Sequence, residues 1–439
     1  MRKILTIFYL LITAFAKADD TATVQAAVST GSITHGSYTI SSAITLNHSF
    51  NLNGSTINYT ASTGRAFLFT AANIKLYNGK IIGPNDTSNP SGSSGITFQT
   101  YDHDTVANIQ ITTFPGYGMV GNNGNSPVIT DCKIMDTGYI GLYYNNTANS
   151  ITGGELARDT IDRTALPAST VTEGALMLRG TTTYPATGWY VHDCRLIMPT
   201  SPTDITAECM ETRYTPSARF NNVFYSGGSI GASIANSNYV RVTNSTMTGQ
   251  NQEGLEIYNS QNGFSGNLTI NGQLNDGILF DGSPASAIDT LYNVSVNGAN
   301  RYCIYFYNGV NTIFINACNF TSTSANYSLN VQQAYNLTFL NTNLNGNGIG
   351  TYAFEFATSV GGVDMTGGSI TNFTGRFAAA YSVTPIVVDN IFLRGVTRSG
   401  VTMSINNSGS ATLGTNIFYS LSQWPTSRIP VFGGGKILH

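Results

Sequence analysis

Glu208, Glu253 and Asp276 each open a short segment of one design: ECMETR, EGLEIY and DGILFD, with IGASIA at Ile230 between the first two. The order is a special residue, a small one, then apolar, variable, apolar, variable. The four first positions are 22, 23 and 23 residues apart. A fixed step of that size marks a solenoid in which each repeat is one turn. Stacked strands then place equal positions in columns roughly 4.8 Å apart. Three carboxylates in four turns form an unexpected column in a chain with only 10% charged residues. Positions four and six add Glu211, Glu256, Arg213, Tyr258 and Asp281, and the earlier segment EGALMLR adds Glu173 and Arg179.

Such a cluster suits sugar chemistry. A glycosidase sets two carboxylates across the scissile bond, about 6.5–9.5 Å apart for inversion and about 5–5.5 Å for retention. Glu208 and Glu253 are two turns apart, roughly 9–10 Å, and Glu253 and Asp276 one turn, near 5 Å, by the strand spacing. Clustered carboxylates also raise one another's pKa, which favours a protonated general acid. A polysaccharide lyase is a second reading, with Arg213 or Tyr258 as base and Glu208, Glu211, Glu253 and Glu256 as oxygen ligands of Ca²⁺. The hydrolase reading requires no cofactor. A third reading is non-catalytic, a surface protein that binds glycan or acts as a spacer. The set proposed for catalysis is Glu208, Glu253, Asp276, Glu211, Glu256 and Arg213, with Glu173, Arg179, Tyr258 and Asp281 contacting substrate.

These residues must be held by strands. Positions three and five, Ala175/Met177, Leu255/Ile257, Ile278/Phe280 and Ile304/Phe306, are apolar and are expected to face the core. Strand alternation then points positions four and six outward. The acids, with Arg213 and Tyr258, are expected on one solvent-facing side. Ile230, Ser233 and Ala235 would leave a hollow between them. The same frame recurs from SGITFQT at Ser94 to FAAAYSV at Phe377, so a continuous solenoid overrides the two or three domains that 439 residues would suggest. Asn236, Asn259 and Asn308 share one position just past the first strand, where Asn tolerates left-handed backbone.

Two turns are long, 33 residues from Ile140 to Glu173 and 35 from Glu173 to Glu208. Their excess is expected to form loops walling the acids. Glu155, Arg158, Asp159, Asp162 and Arg163 fall in the first loop, and Tyr184, Trp189 and Tyr190 in the second. Trp189 and Tyr190 fit equally a sugar platform and the start of an inward-packing strand. Cys132, Cys194, Cys209, Cys303 and Cys318 show no zinc spacing and read as buried rung residues.

Arg2 and Lys3, a short apolar run and Ala16-Lys17-Ala18 read as a secretory leader over 1–18. Losing Arg2, Lys3 and Lys17 takes the net charge from −3 to −6. The chain is therefore expected to be secreted (extracellular, periplasmic or surface-bound), and to engage glycan rather than nucleic acid or membrane. Thr21–Val28 reads as a short helix. We divide the chain into leader 1–18, cap and first turns 19–60, solenoid 61–400, and final turn with capping tail 401–439.

The stretch Asp19-Asp20-Thr21, Gln25, Ala27, then Gly36, Tyr38 and Ile40, resembles the N-terminal cap of the pectate-lyase superfamily. That resemblance implies an all-β, right-handed parallel β-helix with a short N-terminal capping helix, as in pectate lyases, polygalacturonases and tailspikes. Ala207-Glu208-Cys209 resembles the DDC turn of polygalacturonases, and Glu253-Gly254 and Asp276-Gly277 resemble their DG step. Ile230 stands where their GHG histidine is expected, and the RIK, WIDH and RxPxxR motifs are absent, so no single enzyme family is matched.

Overall fold

The computed structural model describes residues 18–85, 92–99, 102–124, 126–148, 151–282, 288–323, 327–332, 334–357, 362–388, 391–413 and 417–420. The expected leader lies, apart from Ala18, outside the described residues, as do residues 421–439 of the expected tail.

Among these residues the chain is a parallel β-helix. One sheet stacks fifteen strands strictly in chain order, from Ile44–Leu46 to Thr402–Leu413. The other two legs of each turn form a second, 28-stranded sheet, and every pairing is parallel. Parallel strands joined by crossovers wind right-handedly. Between the second and third legs the chain bends at one left-handed residue per turn, including Asp193, Asn222, Asn244, Asn267 and Asn293. Three of these amides continue a ladder that starts at Asn221: Asn244 donates to Asn221, Asn267 to Asn244 and Asn293 to Asn267, at 2.7–2.9 Å. The expected Asn236, Asn259 and Asn308 are also left-handed, with φ of 50°, 43° and 51°.

The helix Thr21–Val28 buries Val24 and Val28 against the first turn. Gln25 caps the first strand of the fifteen-stranded sheet, donating to the Thr45 carbonyl at 3.0 Å and accepting from its N–H at 2.7 Å. Asp20 accepts the Thr39 N–H at 2.8 Å. Both side chains take up backbone groups that the open end of a solenoid otherwise leaves unpaired. All five cysteines are buried free thiols.

The small residue at frame position two has a steric cause. A Cβ on Gly141 would lie 2.5 Å from the Ala175 carbonyl oxygen of the next turn and against Ile161. Gly141→Val should therefore overpack the stack and lower unfolding free energy by about 1–3 kcal/mol, read by chemical denaturation. A wild-type midpoint would show that the turns can spread apart.

Candidate functional site

The strands Leu176–Arg179, Met210–Arg213, Ala232–Ala235, Leu255–Tyr258 and Ile278–Asp281 stack in order in the fifteen-stranded sheet. Their register places Glu211, Ser233, Glu256 and Leu279 in one outward column and Arg179, Arg213, Ala235, Tyr258 and Asp281 in another. Glu208, Ile230, Glu253 and Asp276 precede these strands by two residues and align with one another. Their entry bends are braced by buried Gln250 and Gln273. Gln250 donates to the Gly227 carbonyl at 3.1 Å, and Gln273 to Gln250 at 3.0 Å.

One expected turn is out of frame. Leu176 pairs with Met210 and Met177 with Glu211, so Leu176 and Leu178, not Ala175 and Met177, hold the two core positions. Glu173 therefore sits one residue ahead of the acid column. It still reaches the cluster, accepting from the Tyr139 hydroxyl at 3.3 Å and standing 3.6 Å from Arg179.

Four of the acids expected to face solvent are instead buried, and Glu173, Glu256 and Asp281 are half-buried. Glu208 is 9% exposed, Glu253 4%, Glu211 3% and Asp276 0%. The connection 198–207 packs against these turns. Its Thr206 donates to the Thr172 carbonyl at 2.6 Å, its Ile205 carbonyl accepts from Ser229 at 2.6 Å, and its Pro202 carbonyl accepts from Asn251 at 2.8 Å. It thus runs beside several successive turns along the column. The hollow expected at the middle turn is occupied as well, since Glu256 leans over it and accepts from Ser233 at 2.8 Å.

The acids divide by partner. Glu211 is clamped between two guanidiniums, with Arg179 Nε and Arg213 Nε each 3.0 Å away. Asp276 is held bidentately by Arg301, with Nε at 2.9 Å, and also accepts the Tyr302 N–H at 3.1 Å. Arg301 was not foreseen. It stands one residue ahead of the frame position held by Tyr302, and its guanidinium lies over the Tyr302 and Tyr305 rings at 5.2 and 4.8 Å. Asp281 accepts from Asn308 at 3.0 Å.

Glu208 and Glu253 have no ion pair among the described residues. Among the described residues Oε2 of Glu208 has no hydrogen-bond partner, and Glu253 accepts only from Asn275, at 3.2 Å. Burial, reinforced by the charges of Glu211 and Glu256, pushes the Glu208 carboxyl well above the usual range. Burial and the neighbouring Asp276 and Glu256 push Glu253 up to about 7. Burial also raises Glu256, with Ser233 opposing. Tyr258 is 44% exposed, and Arg213, two turns before it in the same column, is also exposed.

Of the two long turns only the end of the second, 198–207, lies beside the acids, and the loop residues singled out in the sequence lie elsewhere. Glu155–Ala157 and Thr160–Asp162, which contain Glu155 and Asp162, are strands of the other sheet. Asp159 is buried and accepts the Cys132 N–H at 2.8 Å, and fully buried Arg163 donates to the Thr137 carbonyl at 3.0 Å. Part of the excess length pairs Ile151–Thr152 with Ala186–Thr187 in a separate two-stranded sheet. Trp189 packs inward, its ring 4.8 Å from Tyr144, while Tyr190 is 39% exposed. Trp189 is therefore no platform. No group of three or more metal-ligating side chains occurs among the described residues, and no helix there is long and apolar enough to cross a membrane.

Two outcomes test this electrostatic arrangement. Glu253 binds its proton more tightly folded than unfolded, so it lowers stability as pH rises from about 4.5 to above about 7. Glu253→Gln should match wild type near pH 4.5 and exceed it by about 1–3 kcal/mol at pH 8, measured by urea unfolding at both values. A pH-independent difference would disprove the raised pKa. Arg301→Leu strands the buried Asp276 and should cost about 3–5 kcal/mol, with the companion Asp276→Asn change recovering much of it.

No family model and no curated protein matches this chain. Solved structures do overlay on it. ORF18 of Geobacillus virus E2 is 14% identical, with a TM-score of 0.37, over 64% of this chain and 57% of that one. The A-module of mannuronan C-5 epimerase AlgE4 from Azotobacter vinelandii is 12% identical, with a TM-score of 0.41, over 90% and 96% of the two chains. The catalytic unit of a GH87 α-1,3-glucanase from Streptomyces thermodiastaticus is 14% identical, with a TM-score of 0.42, over 93% and 68%. The chain spans less than two thirds of the ORF18 protein. Likeness at these identities and scores lends this chain no activity.

Proposed function

We propose that the acid column hydrolyses glycosidic bonds of a polysaccharide, with Glu208 as general acid and Glu253 as the base that activates water. One observation carries this reading. Of the four buried acids on these stacked turns, Glu211 and Asp276 are paired with arginines, while Glu208 and Glu253 form no ion pair among the described residues and have raised pKa values. A carboxyl that stays protonated near neutrality can give its proton to a leaving oxygen. A second carboxyl titrating near 7 can take one from water.

Their separation of two turns, about 9–10 Å by the strand spacing, leaves room for that water and favours inversion of the anomeric centre. Glu256, on the same turn as Glu253 and more exposed, would hydrogen-bond the sugar at the cleavage point. The shortage of free cations beside these acids favours a sugar without charge there. We place the protein outside the cytoplasm, on the leader-like residues 1–18.

The test is a screen of the full chain against neutral and uronic-acid polysaccharides, following reducing ends and ultraviolet absorbance with and without chelator. New reducing ends without absorbance, insensitive to chelator, are expected. Glu208→Gln and Glu253→Gln should each lower the rate by about 10²–10⁴-fold while leaving the melting temperature at or above wild type. An absorbing, chelator-sensitive product would replace this reading with the lyase, and full activity in both variants would end it.

A further inference from the structure

The 28-stranded sheet carries a second feature, on a different face from the acid column. Arg219 and Arg241 pair directly in register on successive turns, and both are exposed. Tyr190 stands one turn before them in the same column and Phe264 one turn after. Tyr239, 56% exposed, lies two residues ahead of Arg241. The next turn of this column carries Thr290.

Like charges directly opposite on neighbouring strands repel. Among the described residues neither arginine forms an ion pair that would relieve this repulsion. The nearby acids are committed elsewhere. Glu155 and Asp193 both face His192, at 2.9 and 2.7 Å, and Asp289 is buried and accepts the Gly263 N–H at 2.7 Å. In the acid column, by contrast, Arg179, Arg213 and Arg301 each face a carboxylate.

A guanidinium presents a planar fork that matches carboxylate or sulfate oxygens. Two forks stacked at roughly 4.8 Å suit oxyanions repeating along a polymer rather than a single ion. Flanking aromatic rings offer apolar surface for sugar rings between the charges. We infer that Arg219 and Arg241, bracketed by Tyr190 and Phe264, form an exterior binding site for a linear acidic glycan lying along the helix axis. It is independent of the acid column and of the hydrolysis proposed there.

The experiment is affinity electrophoresis of the full chain through gels containing polygalacturonate (carboxylated), heparin (sulfated) or neutral dextran, repeated with added inorganic phosphate. Retardation by one or both acidic polymers and none by dextran is expected, although the chain itself is net negative. Arg219→Gln with Arg241→Gln should weaken retardation by about tenfold, as the loss of two exposed ion pairs would give. Lys75→Gln with Lys80→Gln removes the same charge on an early turn and should leave retardation unchanged, as should Glu208→Gln with Glu253→Gln. Melting curves of the arginine variant should overlay wild type, because both side chains are exposed. No retardation, equal weakening in the lysine control, or full displacement by millimolar phosphate would overturn the proposal. The last outcome would leave a site for a discrete oxyanion only.

Discussion

Parallel stacking of successive turns forces like residues onto like, roughly 4.8 Å apart. Neutral side chains exploit this. The amides of Asn221, Asn244, Asn267 and Asn293 form a continuous ladder, and the Tyr327 and Tyr352 rings stack at 5.3 Å and 18°. For charged side chains the same geometry is adverse, and adverse columns need a further cause. The acid column meets the constraint with several devices. Asp276 and Glu211 take arginine partners, Glu256 takes the Ser233 hydroxyl, and Glu208 and Glu253 shift toward their neutral forms.

Ile230 and Ser233 matter to this arrangement through what they lack. An acid at position 230 would put carboxylates on four consecutive turns, and one at position 233 on three. The uncharged turn separates Glu208 from Glu253 and Glu211 from Glu256, so each carboxylate meets its counterpart two turns away instead of one. It also supplies the hydroxyl over which Glu256 leans.

Much of this organisation was legible in the sequence, because the repeat is written in the residues. Position-two glycines are demanded by the carbonyl of the next turn, and apolar residues at positions three and five pack a continuous core. The frame failed at EGALMLR because Ala175, Leu176, Met177 and Leu178 are all apolar, so alternation could not choose between two registers one residue apart. The burial of the acids was illegible for a different reason. The acids' surroundings lie off the repeat: Arg301 on Asp276, and the connection 198–207, whose hydrogen bonds reach Thr172, Ser229 and Asn251 on other turns. Arg301 was hidden by the frame itself. It stands one residue outside the pattern, and its partner Asp276 is a full turn away.

The resemblance at the N-terminus has a physical content that the site resemblance lacks. Gln25 and Asp20 are matched because an open solenoid end leaves backbone groups to satisfy, and both side chains satisfy them here. That demand is common to any such helix, so the cap speaks for fold alone. The acid column answers to no such demand. Thr290, Thr246 and Thr269 show what an outward position on this scaffold carries when nothing else is required of it. Burying Glu208 with no ion-pair partner among the described residues opposes stability, and packing does not call for a carboxyl there. A costly side chain at a position where an uncharged one would fold as well is the pattern expected of a residue retained for chemistry.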